Sequence, residues 1–178
     1  MSYIHVQNAA LRAALISNFM VAELLASRAG KDYTLWLIAP WIKDFVLHLP
    51  PESDLSMLLD TSEPCPRLFE ALRQIAANGG RVALVVRPEH EPARVAQFIQ
   101  PLCDLAAAEP AIVVRRLDNL HAKIYAGQCG GLYGSPNLTA SGAAYNVEFS
   151  RYVSDTRTVA QLRAEAQALF EQAKELRR

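Results

Sequence analysis

The chain has 178 residues, 51% of them apolar, and carries 18 basic and 18 acidic side chains. That length and apolar share exclude a disordered chain and predict a single domain over 1–178 with a substantial core. A formal charge of zero excludes a surface that coats nucleic acid broadly, while leaving room for a local basic groove.

Taken in chain order, residues 7–29 predict a helix. Leu11, Leu15, Phe19, Ala22 and Ala26 recur at steps of three and four, and Gly30 can end it. Ile16, Met20, Leu24 and Leu25 widen the stripe, as in a helix pressed against a sheet. Residues 33–39 (YTLWLIA) form a continuous apolar run closed by Pro40, which suits a strand buried on both faces. An exit loop, PWIKDF, follows, with Trp41 where a rim residue could stand. Residues 47–64 carry Pro50, Pro51 and several acids, and read as a surface loop with a short strand near Met57. Residues 66–78 predict a helix with Pro66 in its first turn and Gly79-Gly80 at its end. RVALVVRP is a buried strand. Arg87 and His90 lie just beyond its C-terminal end, where open α/β sheets place ligands. A helix over 92–108 and a strand over AIVVRRLDN lead on. A last helix runs from about Thr158 to Arg178.

This order is helix, strand, helix, strand, helix, three strands, helix. It predicts an α/β fold with a mixed, largely parallel sheet flanked by helices on both faces. Cys65, Cys103 and Cys129 are odd in number and lack CxxC spacing, so they read as reduced thiols of a cytoplasmic protein rather than zinc ligands. No signal peptide is visible, and no uncharged apolar run approaches the roughly 20 residues of a membrane span. The expectation is therefore no membrane association.

Chemistry concentrates between His121 and Glu148, HAKIYAGQCGGLYGSPNLTASGAAYNVE. On an extended strand His121, Lys123 and Tyr125 would share one face, with Ala122, Ile124 and Ala126 turned to a core. A histidine and a lysine two apart stand roughly 7 Å from each other on one face. Both can then reach one phosphate, the imidazole at phosphorus and the ammonium at a non-bridging oxygen. Gly134-Ser135-Pro136-Asn137 supplies hydroxyl and amide donors on a turn, and Gly134 permits close backbone approach to an anion. Asn146 and Glu148 repeat the two-residue spacing, with Val147 and Phe149 expected to face inward.

His-x-Lys, Gly-Ser-x-Asn and Asn-x-Glu in this order resemble the signature of the phospholipase D superfamily. The PWIKDF loop resembles the Ser-Pro-Trp-type loop of many members. One departure is plain. The family's motif carries an aspartate five residues after the lysine, and here that position is Gln128. The spacing from there to Gly-Ser is also one residue shorter, and the nearest upstream carboxylate, Asp118, lies outside the motif. Several single-motif, restriction-type nucleases of the superfamily lack that aspartate too, so the resemblance implies a nuclease before a lipase.

What the resemblance implies is cleavage of phosphodiesters through a phosphohistidine, with no metal and no cofactor. One histidine attacks phosphorus, and a second protonates the leaving oxygen and then activates water. His5, His48 and His90 have no lysine two residues on, so this chain has one such histidine. A C2 homodimer would supply the other at a shared site. On this resemblance His121, Lys123, Asn137 and Glu148 are the catalytic set, with Lys123 and Asn137 on the non-bridging oxygens and Glu148 orienting an imidazole. Ser135, Asn146 and Gly134 bind substrate. Nucleic acid is the implied substrate, and other subunits of a bacterial defence system are the implied partners. The alternatives are a phospholipid hydrolase or transferase, and a catalytically quiet subunit that binds nucleic acid in a larger complex.

Overall fold

In the computed structural model the described residues are 3–6, 8–29, 32–47 and 66–176. The expected strand near Met57 and the acidic loop around it lie outside them, as does Cys65. One eight-stranded sheet runs through the described residues in the order β1-β7-β6-β5-β2-β3-β4-β8. Its strands are β1 (Tyr3–Val6), β2 (Thr34–Ile38), β3 (Arg81–Val86), β4 (Ile112–Arg116), β5 (Ile124–Ala126), β6 (Gly131–Gly134), β7 (Ser150–Val153) and β8 (Lys174–Glu175).

The mixed α/β sheet is present, with antiparallel pairings in the majority. Only β2·β3 and β3·β4 run parallel, and the other five pairings are antiparallel. The cause lies in the connections. The β2-to-β3 and β3-to-β4 crossovers hold helices, whereas β5 and β6 are joined through residues 127–130 alone, too few to cross over, and the β6-to-β7 link over 135–149 holds a π turn and no α-helix.

Helices cover both faces. On one lie α1 (Ala9–Ala29), α2 (Leu68–Ala77) and α4 (Gln100–Ala108). They pack Ile16, Phe19, Leu72 and Leu102 on Leu35, Leu37, Val82 and Leu84. The other face takes α5 (Thr156–Gln172), whose Ala166 and Phe170 meet Trp36, Ile38, Ala83 and Val85. The continuous apolar runs of β2 and β3 are thus explained, since alternate residues serve two cores. Each fully buried side chain of this size contributes about 1.5–3 kcal/mol.

Two helices depart from expectation. The 92–108 segment is a short α3 (Pro92–Arg94), a π turn (Val95–Ile99) and then α4. Pro101 has no N–H for the helical ladder, so the regular pattern is interrupted around it. The last helix ends at Gln172, well before Arg178, because β8 pairs with β4 at Arg115↔Glu175. Arg115 also caps that end, donating to the Phe170 carbonyl at 2.9 Å with its guanidinium 4.1 Å from the Phe170 ring centre.

The face of α1 also departs from its apolar period. Leu11 and Leu25 are exposed, whereas Arg12, Ile16, Met20, Glu23 and Ser27 are buried. By length and composition this helix could cross a membrane. In the structure its inner face carries two buried charges that bond to the rest of the fold.

Candidate active site

The sheet gathers the motif at one edge. β5 runs antiparallel to β2, so its N-terminal end lies beside the C-terminal end of β2, at Ile38↔Ile124. β6 reverses again, and β7 pairs with it at Gly134↔Ser150. His121 and Lys123 precede β5, Ser135 follows β6 and Glu148 precedes β7. All therefore arrive at the edge formed by the C-terminal ends of β2 and β3, the usual ligand edge of such sheets.

His121 and Lys123 stand just before β5, outside the regular strand. His121 is exposed, and among the described residues its ring has no hydrogen-bond partner. The Lys123 Nζ donates to the His121 carbonyl at 2.8 Å, which fixes the ammonium against the histidine's own backbone. Tyr125, expected on the polar face, is buried, with its hydroxyl donating to the Pro136 carbonyl at 2.7 Å. Burial, and then the charge of Glu148, push its phenol well above the usual range. Tyr125 is therefore a strut joining the His-Lys strand to the Ser135–Asn137 turn. Ala122 and Ile124 pack on the α5 core as expected.

The turn itself is closely braced. Ser135 donates to a Glu148 carboxylate oxygen and accepts from the Phe149 N–H at 3.0 Å, so its one proton is committed to Glu148. Asn146 Nδ2 reaches the other Glu148 oxygen at 3.3 Å. Glu148 thus holds Ser135 and Asn146, and among the described contacts it makes no bond to His121. A Cβ on Gly134 would collide with the Phe149 carbonyl. The close approach expected there is made to the chain's own backbone. Val147, expected inward, is fully exposed, because Asn146–Phe149 is a loop after a π turn (Ser141–Tyr145) and strand alternation does not apply to it.

Asn137 takes its orientation from the exit loop. The Trp41 N–H donates to Asn137 Oδ1 at 3.3 Å, which leaves the amide nitrogen as a donor, and Asn137 lines a cleft of about 690 Å³. Trp41 is held in turn by Glu89, which accepts from its indole N–H at 2.6 Å. Arg87 and Arg94 lie 4.7 and 5.3 Å from its ring centre. The bond from Arg94 is the chief cause that holds the Glu89 carboxyl down to about 2, against its burial. Arg87 is therefore close to the site through Trp41. His90 is exposed and lines a separate cavity of about 180 Å³ with Cys103 and Arg116.

Two residues that the sequence reading passed over hold the site from beneath. Arg12 is fully buried and donates to three carbonyls: Nε to Gly142 at 2.9 Å, Nη1 to Glu148 at 3.2 Å and Nη2 to Asn146 at 2.6 Å. Burial lowers its pKa, and the Glu148 charge works against that shift. The three bonds fix the loop that carries Asn146 and Glu148. Glu23, also fully buried, accepts the N–H groups of Gln128, Cys129 and Gly130 at 2.8–2.9 Å, and the Tyr33 hydroxyl at 2.9 Å. Burial raises its carboxyl, while the four bonds pull it down. Gly127 has no side chain because a Cβ there would collide with that carboxylate. The turn that lacks an aspartate at 128 therefore receives a carboxylate from α1. The signal available in the sequence was an arginine and a glutamate on the helical period of Ile16, Met20 and Ser27.

Among the described residues no cluster of three or more His, Cys, Asp or Glu has a metal-holding arrangement. No protein-family model matches the chain, and no curated protein matches it in sequence. Solved structures match it over most of its length. Nuc of Salmonella typhimurium, a phospholipase D family member, superposes with a TM-score of 0.55 at 16% identity, over 89% of this chain and 90% of that one. NucT of Helicobacter pylori gives 0.56 at 11% identity, over 98% of each. TrmBL2, an archaeal chromatin protein with a novel mode of DNA binding, gives 0.55 at 12% identity. That match takes in 99% of this chain and 54% of TrmBL2, so the chain spans about half of that protein. At these identities the likeness is one of fold: the chain shares the α/β architecture of these structures.

Proposed function

We propose that the protein is a metal-independent phosphodiesterase, a nuclease of the cytoplasm, working through a phosphohistidine at a site completed by a second copy of the chain. The observation that carries this reading is the convergence of His121, Lys123, Asn137 and Glu148 on one sheet edge from three separate segments. An exposed imidazole without a protein partner is free to attack phosphorus. The P–O bond to the leaving group then breaks, and that oxygen takes a proton from the partner copy's histidine. The same partner histidine, now neutral, takes a proton from water, whose oxygen displaces His121 from phosphorus.

Lys123 and the amide nitrogen of Asn137 stabilise the charge that grows on the non-bridging oxygens. Lys123 supplies there the fixed positive charge that a metal ion supplies in other phosphodiesterases. Glu148 serves by holding Ser135 and Asn146 in place. The likeness to Nuc supports a phosphodiesterase, and the likeness to a DNA-binding chromatin protein supports nucleic acid as what it binds.

Labelled DNA, RNA and phospholipid, incubated side by side in excess EDTA, test the reading. Cleavage of nucleic acid that persists in EDTA is the expected result. Activity that disappears in EDTA and returns with Mg²⁺ or Mn²⁺ would remove the mechanism, and cleavage of phospholipid alone would move the substrate to lipid.

A further inference from the structure

The cleft of about 690 Å³ beside Asn137 has a composition that phosphate chemistry alone does not require. Its walls carry Trp41, Phe98 and Tyr145, with Lys43 among them and Asn137 and Asn146 at the end nearest the motif. Tyr145 is 76% exposed, which is unusual for a large ring on an ordered turn. The Lys43 ammonium lies 6.0 Å from the Phe98 ring centre and has no carboxylate partner among the described residues. Behind Trp41 the guanidinium groups of Arg87 and Arg94 share the Glu89 carboxylate. Open aromatic faces interleaved with cations are what a strand of unpaired nucleotides requires. Each base has a face to stack, and each phosphate has a charge to neutralise.

We propose that this cleft receives the unpaired nucleotide next to the scissile phosphate, and hence that the substrate is single-stranded nucleic acid. The inference rests on the phosphodiesterase reading and adds the strandedness of its substrate. With one phosphate held at Lys123 and Asn137, the chain passes Asn137 into the cleft. There its base lies against Tyr145 and Phe98, and the following phosphate meets Lys43. In a duplex each base is stacked on its neighbours and paired, so its face is closed to these rings. The volume fits, since pockets for ligands of nucleotide size run to about 300–1,000 Å³.

Equilibrium binding tests this without turnover. On a His121→Ala background, a fluorescent single strand of about 12 nucleotides, as DNA and as RNA, is titrated beside a duplex of the same length and anionic phosphatidylglycerol vesicles. The single strand is expected to bind at least about tenfold tighter than the duplex. Tyr145→Ala and Lys43→Gln should each weaken it about fivefold or more, as loss of one stacked base or one phosphate contact does. Only Lys43→Gln should flatten its salt dependence. A duplex that binds equally well, vesicles that bind in place of the strand, or indifference to both substitutions would overturn the proposal. A small chromogenic phosphodiester without a base separates the two readings. If wild type and Tyr145→Ala hydrolyse it equally while strand binding is unchanged, the cleft proposal fails and the phosphodiesterase stands. If neither hydrolyses it or any nucleic acid, yet strand binding falls with Tyr145→Ala, the catalytic reading fails and the cleft stands.

Discussion

His121 and Arg12 occupy opposite extremes of exposure, and their substitution should separate chemistry from architecture. His121 projects from the sheet edge with no described partner for its ring, so His121→Ala should remove turnover and change unfolding free energy by no more than about 0.5 kcal/mol. Urea unfolding beside a cleavage assay checks both, and a large loss of stability would make that histidine structural. Arg12→Met should do the reverse. It leaves the carbonyls of Gly142, Asn146 and Glu148 without their charged donor. Each such bond contributes about 1.5–3 kcal/mol, although their losses overlap, so a destabilisation of about 3 kcal/mol or more is expected. Any Arg12→Met enzyme that still folds should show a lower kcat, because the Asn146–Glu148 loop has lost its support. Arg12→Lys should recover part of the stability only, since an ammonium cannot reproduce the three-way fork.

Among the elements, α1 and the turn after β5 form a unit held by a carboxylate. Glu23→Ala should loosen residues 128–130 by leaving three N–H groups without an acceptor. Restoring an acid in the turn with Gln128→Asp should rescue part of that loss in the double variant and do little in the wild-type background. Thermal unfolding of the four proteins closes the cycle, and simple additivity would show that the two positions do not share a role. This same unit marks how far the sequence could be read. The strands β2 and β3 and the helices α1 and α2 were legible, because an apolar run has a local period, and the His121–Glu148 segment stood out by the spacing of its polar residues. The polar side of α1 was not. Arg12 and Glu23 interrupt an apolar stripe, and apart from Tyr33 the partners described for them lie more than a hundred residues away. The inward placing of Val147 failed for a related reason, since alternation holds only where a strand exists. The two-residue β8 depends on pairing with β4 and leaves no period to find.

For the whole molecule, the count of one His-x-Lys per chain leads to a subunit-mixing test. Wild type and His121→Ala, dissociated and reassociated at equal amounts with exchange shown by a tag, should retain about one quarter of the activity if each site draws a histidine from two chains. Retention near one half would locate the whole site within one chain. The buried pairings of α1 bear on how the protein is made. Ribosomes deliver about 5–20 residues per second. The helix that holds Arg12 and Glu23 therefore emerges on the order of ten seconds before the carbonyls and amides that satisfy them, some 105 to 136 positions later. During that interval Arg12 lacks its three carbonyls and Glu23 lacks its three N–H groups. Nascent chains stalled before Gly142 should accordingly be held by chaperones and open to proteases, and protection should come abruptly once the last third of the chain has been made.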